Sequence, residues 1–202
     1  MKKLVVLLML SLMATTAFAV VDPDPDMMGI YFDETADANC YVPEFRERWM
    51  AYVIVTNPSY PAIDGYEFAF TYEVINATYE DDFVVSADNI GAGVVDGVNA
   101  GTGNDYAVGL NGVIPSTPAT IVHSFQFLTF DETMTVNLSL GPISAPSIPG
   151  AALPIVKNAG FNELMTVGLS TGGVEIPVAV VNGDCPVAVE SETWGGVKSL
   201  YR

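Results

Sequence analysis

The stretch Tyr66-Glu67-Phe68-Ala69-Phe70-Thr71-Tyr72-Glu73-Val74-Ile75 decides the fold class. Tyr66, Phe68, Phe70, Tyr72 and Val74 share one face, and Glu67, Ala69, Thr71 and Glu73 share the other. Successive side chains of a strand point to opposite sides, so this period of two marks a strand with one face buried. Working outward, Met134, Val136, Leu138 and Leu140 alternate with polar residues in the same way. Trp49 to Thr56 is apolar on both faces, as a central strand would be. Thr120 to Phe130 is long and sets Ile121, His123, Phe125 and Phe127 on one face. Further strands are expected at Met28 to Phe32, Phe83 to Ser86, Tyr106 to Leu110, Leu164 to Leu169 and Val174 to Val181. Pro177 lacks an amide proton and confines the last to an edge or a bulge.

Turn signals separate these runs: Asn57-Pro58, Asp64-Gly65, Asp96-Gly97, Asn111-Gly112, Gly141-Pro142, Gly172-Gly173 and Asn182-Gly183. No internal segment has sustained helical periodicity. About nine or ten strands in a chain of this size predict an all-β, two-sheet antiparallel β-sandwich, with a closed barrel as the alternative. Asn89 to Asp105 reads as a weak edge hairpin or a loop, and Ser144 to Pro154 as a Pro-rich connection. The two ends add a signal-peptide helix and a short C-terminal helix or tail.

The N-terminus carries the marks of export. Met1-Lys2-Lys3 is basic, Leu4 to Met13 is apolar, and Ala17-Phe18-Ala19 is a small-x-small cleavage pattern. That order predicts a signal peptide over residues 1–19. The apolar run is shorter than the ~20 residues a membrane-spanning helix needs. The expected organisation is signal peptide 1–19, β-sandwich 20–185 and tail 186–202. Export leads to an oxidising compartment, so Cys40 and Cys185, the only cysteines, are expected to pair. The predicted location is periplasmic, cell-surface or extracellular, in a bacterium.

The 202 residues hold 7 Lys and Arg against 24 Asp and Glu, a formal charge of −17. Such a chain has no footprint for nucleic acid or an anionic membrane. With half its residues hydrophobic, it is no disordered acidic tail either.

Gly65-Tyr66-Glu67-Phe68-Ala69-Phe70-Thr71-Tyr72, followed later by Ile121-Val122-His123-Ser124-Phe125-Gln126-Phe127 and then Met134 to Leu140, resembles cohesin modules and related carbohydrate-binding sandwiches. The resemblance covers roughly residues 27 to 140. It implies a cohesin-like or Ig-like sandwich that binds a protein or a polysaccharide. The chain departs from the family in its Cys pair, its long C-terminal half and the missing Asp-Pro after Tyr72. Beyond Cys185, Thr193-Trp194-Gly195-Gly196-Val197-Lys198-Ser199-Leu200-Tyr201-Arg202 resembles the Thr-Trp-Gly-x-x-Lys-x-Leu-Tyr-Arg ending of secreted bacterial proteins. Trp194, Lys198, Tyr201 and Arg202 are its distinctive residues. Either they form a sorting or attachment signal, or the aromatics cover part of the sandwich.

Chemistry is sparse. His123 is the only histidine, Ser124 beside it points to the opposite face, and no G-x-S-x-G elbow exists. No catalytic residue is expected. Candidate calcium loops are Asp33 to Asn39, Glu80-Asp81-Asp82, and Asp88-Asn89 with Asp96 and Asn99. None has EF-hand spacing, and the preferred reading is solvated acids with no cofactor. The expected function is a secreted, non-enzymatic protein-interaction or structural module. The alternative is carbohydrate binding, for which Tyr60, Tyr79 and Tyr106, near predicted loops or edges, are the candidate ligand-binding aromatics.

Overall fold

The computed structural model describes residues 23–79 and 82–186. The expected signal peptide and the tail residues Trp194, Lys198, Tyr201 and Arg202 lie outside them. Thirteen strands follow in order. These are β1 (Met27–Tyr31), β2 (Cys40–Tyr41), β3 (Arg48–Thr56), β4 (Ala62–Ile75), β5 (Phe83–Ile90), β6 (Gly97–Asn99) and β7 (Asp105–Pro115). Then come β8 (Ala119–Thr129), β9 (Thr135–Gly141), β10 (Ile155–Asn158), β11 (Leu164–Thr166), β12 (Gly168–Leu169) and β13 (Ala179–Val181).

They form two packed sheets. The smaller runs β12-β1-β3-β8-β5. The larger runs β11-β10-β4-β9-β13-β2, with β7 also paired to β4 and β6 to β7. Most pairings are antiparallel, as expected. Two are parallel, β1 with β12 and β2 with β13, so both sheets are mixed. The extra strands are short and fall where the sequence has no alternation. Cys40-Tyr41 and Gly97–Asn99 are too brief to show a period, and Leu164 to Leu169 divides into two pieces. Of Val174 to Val181 only the part after Pro177 is strand.

The core lies between the sheets. Tyr66, Phe68 and Phe70 of β4 meet Phe125 and Phe127 of β8, Trp49 of β3 and Phe83 of β5. Burial of each such ring contributes roughly 1.5–3 kcal/mol. The alternation along β4 weakens toward its end: Tyr72 is on the expected face and its ring meets Phe83 of β5 at 5.0 Å, yet it stays nearly half exposed.

On β8 the expected face needs a correction. Val53 pairs with His123 and Ile54 with Ile121, which leaves Val122 as an extra, bulged residue. A bulge resets which side chains point inward. Ile121 therefore joins the separate cluster of Tyr31, Ala36 and Ile54, while Val122 enters the main core. Gly29 marks a close approach between β1 and the chain after β12, since a Cβ there would lie 2.5 Å from Ser170 Oγ.

Candidate binding site

One end of the sandwich gathers three connections: residues 42–47 before β3, 76–79 and 82 between β4 and β5, and 130–134 between β8 and β9. Hydrogen bonds lock them together. The Arg46 amide donates to Thr129 O at 2.9 Å, the Phe45 amide to Glu132 Oε1 at 3.1 Å, and the Phe130 amide to Asp82 O at 2.8 Å. Asp131 is the hub. Its Oδ1 accepts the amide and hydroxyl of Thr133 at 2.7 and 2.6 Å, and its Oδ2 accepts those of Thr78 at 3.2 and 2.9 Å. These bonds, Thr133's first, favour the ionised form and hold the Asp131 carboxyl well below the usual carboxylate range. Asp82 Oδ2 takes the Tyr79 amide at 2.7 Å. Glu47 accepts the Tyr41 hydroxyl at 2.8 Å, and burial, aided by this neighbour, pushes Tyr41 up to about 12.

On this framework the aromatics are left in water. Tyr79 is 72% exposed, Phe45 52% and Phe130 36%. With Thr78, Asp82, Asp131, Glu132 and Thr133 they line an open groove of roughly 470 Å³. The Arg46 guanidinium carbon sits 4.9 Å from the centre of the Phe45 ring. Aromatic side chains above hydrogen-bonded loops, with acids between them, can stack an apolar or planar group and accept hydrogen bonds from a cation.

The three tyrosines singled out from the sequence do not share a site. Tyr79 is in the groove. Tyr60 is half-buried beyond the other end of β4, a 14-residue strand that spans roughly 45 Å at ~3.3 Å per residue. Tyr106 faces inward, its ring stacked 4.9 Å from Phe68 and edge-on to His123 at 4.8 Å. Burial, with Asp88 nearby, pushes it up to about 12. Tyr60, Tyr79 and Tyr106 therefore form no flat exposed row. Phe45 and Phe130 were missed because Phe45 sits alone among polar residues and Phe130 ends a strand pattern. Neither position has a period that would set it apart.

His123 is sealed in the core, 3.0 Å by Nδ1 from the Tyr66 hydroxyl, which also accepts the Gly91 amide. Its Nε2 has no hydrogen-bond partner. Burial lowers it to about 4, and no solvent-borne substrate can reach it as a base. Among the described residues no three His, Cys, Asp or Glu side chains are placed to hold a metal ion. The Asp33 loop is bonded to itself: the Thr35 hydroxyl lies 2.8 Å from both Asp33 and Asp37, and Asp33 Oδ1 accepts the amides of Asp37 and Ala38. Cys40 and Cys185 form the expected disulfide, Cα to Cα 5.3 Å.

The molecule is thus an all-β sandwich with a loop-built groove at one end. No protein-family model and no curated protein matches the chain. Among solved structures it is similar to the sixth cohesin of scaffoldin B from Acetivibrio cellulolyticus, crystallised with a mutant Cel5 dockerin. The likeness covers 78% of this chain and 98% of that one, at 13% identity and a TM-score of 0.45. Among the described residues no helix is long and apolar enough to cross a membrane.

Proposed function

We propose that this chain is a secreted, non-catalytic interaction module that grips an extracellular protein through the groove of Phe45, Tyr79 and Phe130. Residues 1–19 direct export, and cleavage after Ala19 leaves the working chain. One observation carries the reading: three aromatics stay exposed on loops that eight or so hydrogen bonds hold in place. Exposed aromatic area costs roughly 25 cal/mol per Å² while it stays in water, and clustered patches of this kind mark contact surfaces. Rigid loops limit the ordering cost of binding. The disulfide suits an oxidising compartment.

The test compares wild-type chain with the Phe45→Ala/Tyr79→Ala double variant as baits against the native cell envelope. The expected result is a protein captured by the first at least tenfold better than by the second, with equal melting temperatures. Equal capture by both would overturn the groove assignment. Carbohydrate binding is the second reading, favoured by Tyr79 standing free beside Asp82 and Asp131. A glycan array in which wild type binds and Tyr79→Ala does not would put it first.

A further inference from the structure

The groove is acidic as well as aromatic. Asp82, Asp131 and Glu132 line it, and Glu44 and Glu47, joined by the Glu44 amide, belong to the same loop as Phe45, as does Arg46, with Arg48 just beyond it. Basic residues are scarce in this chain. Outside the leader they are Arg46, Arg48, Lys157, Lys198 and Arg202. Two of the five fall in the last nine residues, Trp194 to Arg202, which contain no acid and include Trp194 and Tyr201.

The point where that segment leaves the sandwich is fixed. Cys185 is bridged to Cys40, and the Asn39 side-chain amide donates to Pro186 O at 2.6 Å. Asn39 is six residues before Phe45, and β2 leads directly into the groove loop. At ~3.5 Å per residue that distance is at most roughly 20 Å, while the eight residues from Pro186 to Trp194 reach roughly 28 Å. A tether this short gives an effective concentration on the order of millimolar. A charge of −17 opposes the approach of a second copy.

We infer that residues Trp194 to Arg202 seat in the groove of their own chain. Trp194 and Tyr201 pack on Phe45, Tyr79 and Phe130, and Lys198 and Arg202 face the groove acids. This deepens the proposed function: the tail is an intramolecular competitor that an external partner must displace.

The chain supplies its own probe, because Trp49 and Trp194 are its only tryptophans and Trp49 is 4% exposed. In full-length chain carrying Trp49→Phe, acrylamide quenching of Trp194 is compared with that of a synthetic 186–202 peptide. The expected quenching constant is at least threefold lower in the chain. It should rise to the peptide's value with Phe45→Ala/Tyr79→Ala, and also with Lys198→Glu/Arg202→Glu. Where Trp49→Phe impairs folding, 5-fluorotryptophan resonances of otherwise unaltered chain give the same readout, assigned with Trp194→Phe. Three outcomes overturn the inference. They are Trp194 as exposed as in the peptide, protection that survives both double variants, and protection lost on dilution. Partner capture that depends on Phe45 and Tyr79 while Trp194 stays exposed would leave the proposed function standing and remove the seat alone.

Discussion

The loop end of the sandwich and its centre are built from the same residue types, aromatics beside ionisable groups, and treat them in opposite ways. At the end, Phe45, Tyr79 and Phe130 face water while Asp131 accepts four hydrogen bonds. In the centre, Tyr66, Phe68, Tyr106 and Phe125 close around His123 and leave Nε2 without a partner. Both His123 and Asp131 have lowered pKa values, for different reasons. Burial disfavours the charged imidazole, whereas hydrogen bonds favour the charged carboxylate. The centre therefore spends its polar group on packing, and the end spends its polar groups on holding apolar ones out in solvent.

The largest expected effect belongs to neither region but to the covalent link between β2 and the segment after β13. Cys40 and Cys185 are 145 residues apart, and opening so long a loop costs about 5 kcal/mol in the chain-entropy account. Cys40→Ser/Cys185→Ser should lower denaturant stability by that order, and adding reductant should destabilise wild type but not the variant. Next, Phe125→Ala in the centre should cost about 4 kcal/mol through a cavity. Tyr79→Ala at the end should stay within about 0.5 kcal/mol. Similar losses at both sites would erase the distinction.

Acid separates the regions again. His123 titrates near 6.5 unfolded and near 4 folded, so the stability it allows is full above 6.5 and falls as pH drops toward 4. The loss over that window is about 3 kcal/mol. His123→Phe should flatten the stability curve between pH 6.5 and 4. Asp131 also has a lowered value, and its contribution is present above about 3.8 and disappears only below it. Asp131→Asn should lower the curve evenly above pH 4, leaving its slope there unchanged, and flatten it below pH 4. A single acid transition unaffected by either substitution would show that the two regions do not unfold through separate protonations.

The strands β3, β4, β8 and β9 are legible to within a few residues, β4 and β9 from their alternation and β3 and β8 from long apolar runs. The expected turns Asp64-Gly65 and Asn111-Gly112, by contrast, lie inside β4 and β7, where the ladder slips its register instead of reversing the chain. The sequence missed β2 and β10 and left β6 undecided between hairpin and loop, because pieces of two to four residues have no period to detect. It set Ile121 on the wrong face, since the bulge at Val122 leaves no mark in composition. Of the candidate groove the sequence names Tyr79, but groups it with Tyr60 and Tyr106, which lie elsewhere. Nearness to a predicted loop says nothing about which end of a long strand the loop occupies.

The sequence by itself determined the all-β class, the acidity and, with two cysteines to pair, the disulfide, for these follow from local alternation and from counting. Only the tertiary structure decided which aromatics are buried. Tyr79 and Tyr106 are the same residue in similar local settings. One has no opposing sheet above it and the other has His123 against its ring. Exposure depends on what a distant part of the chain brings to a position, and no window of neighbouring residues contains that information.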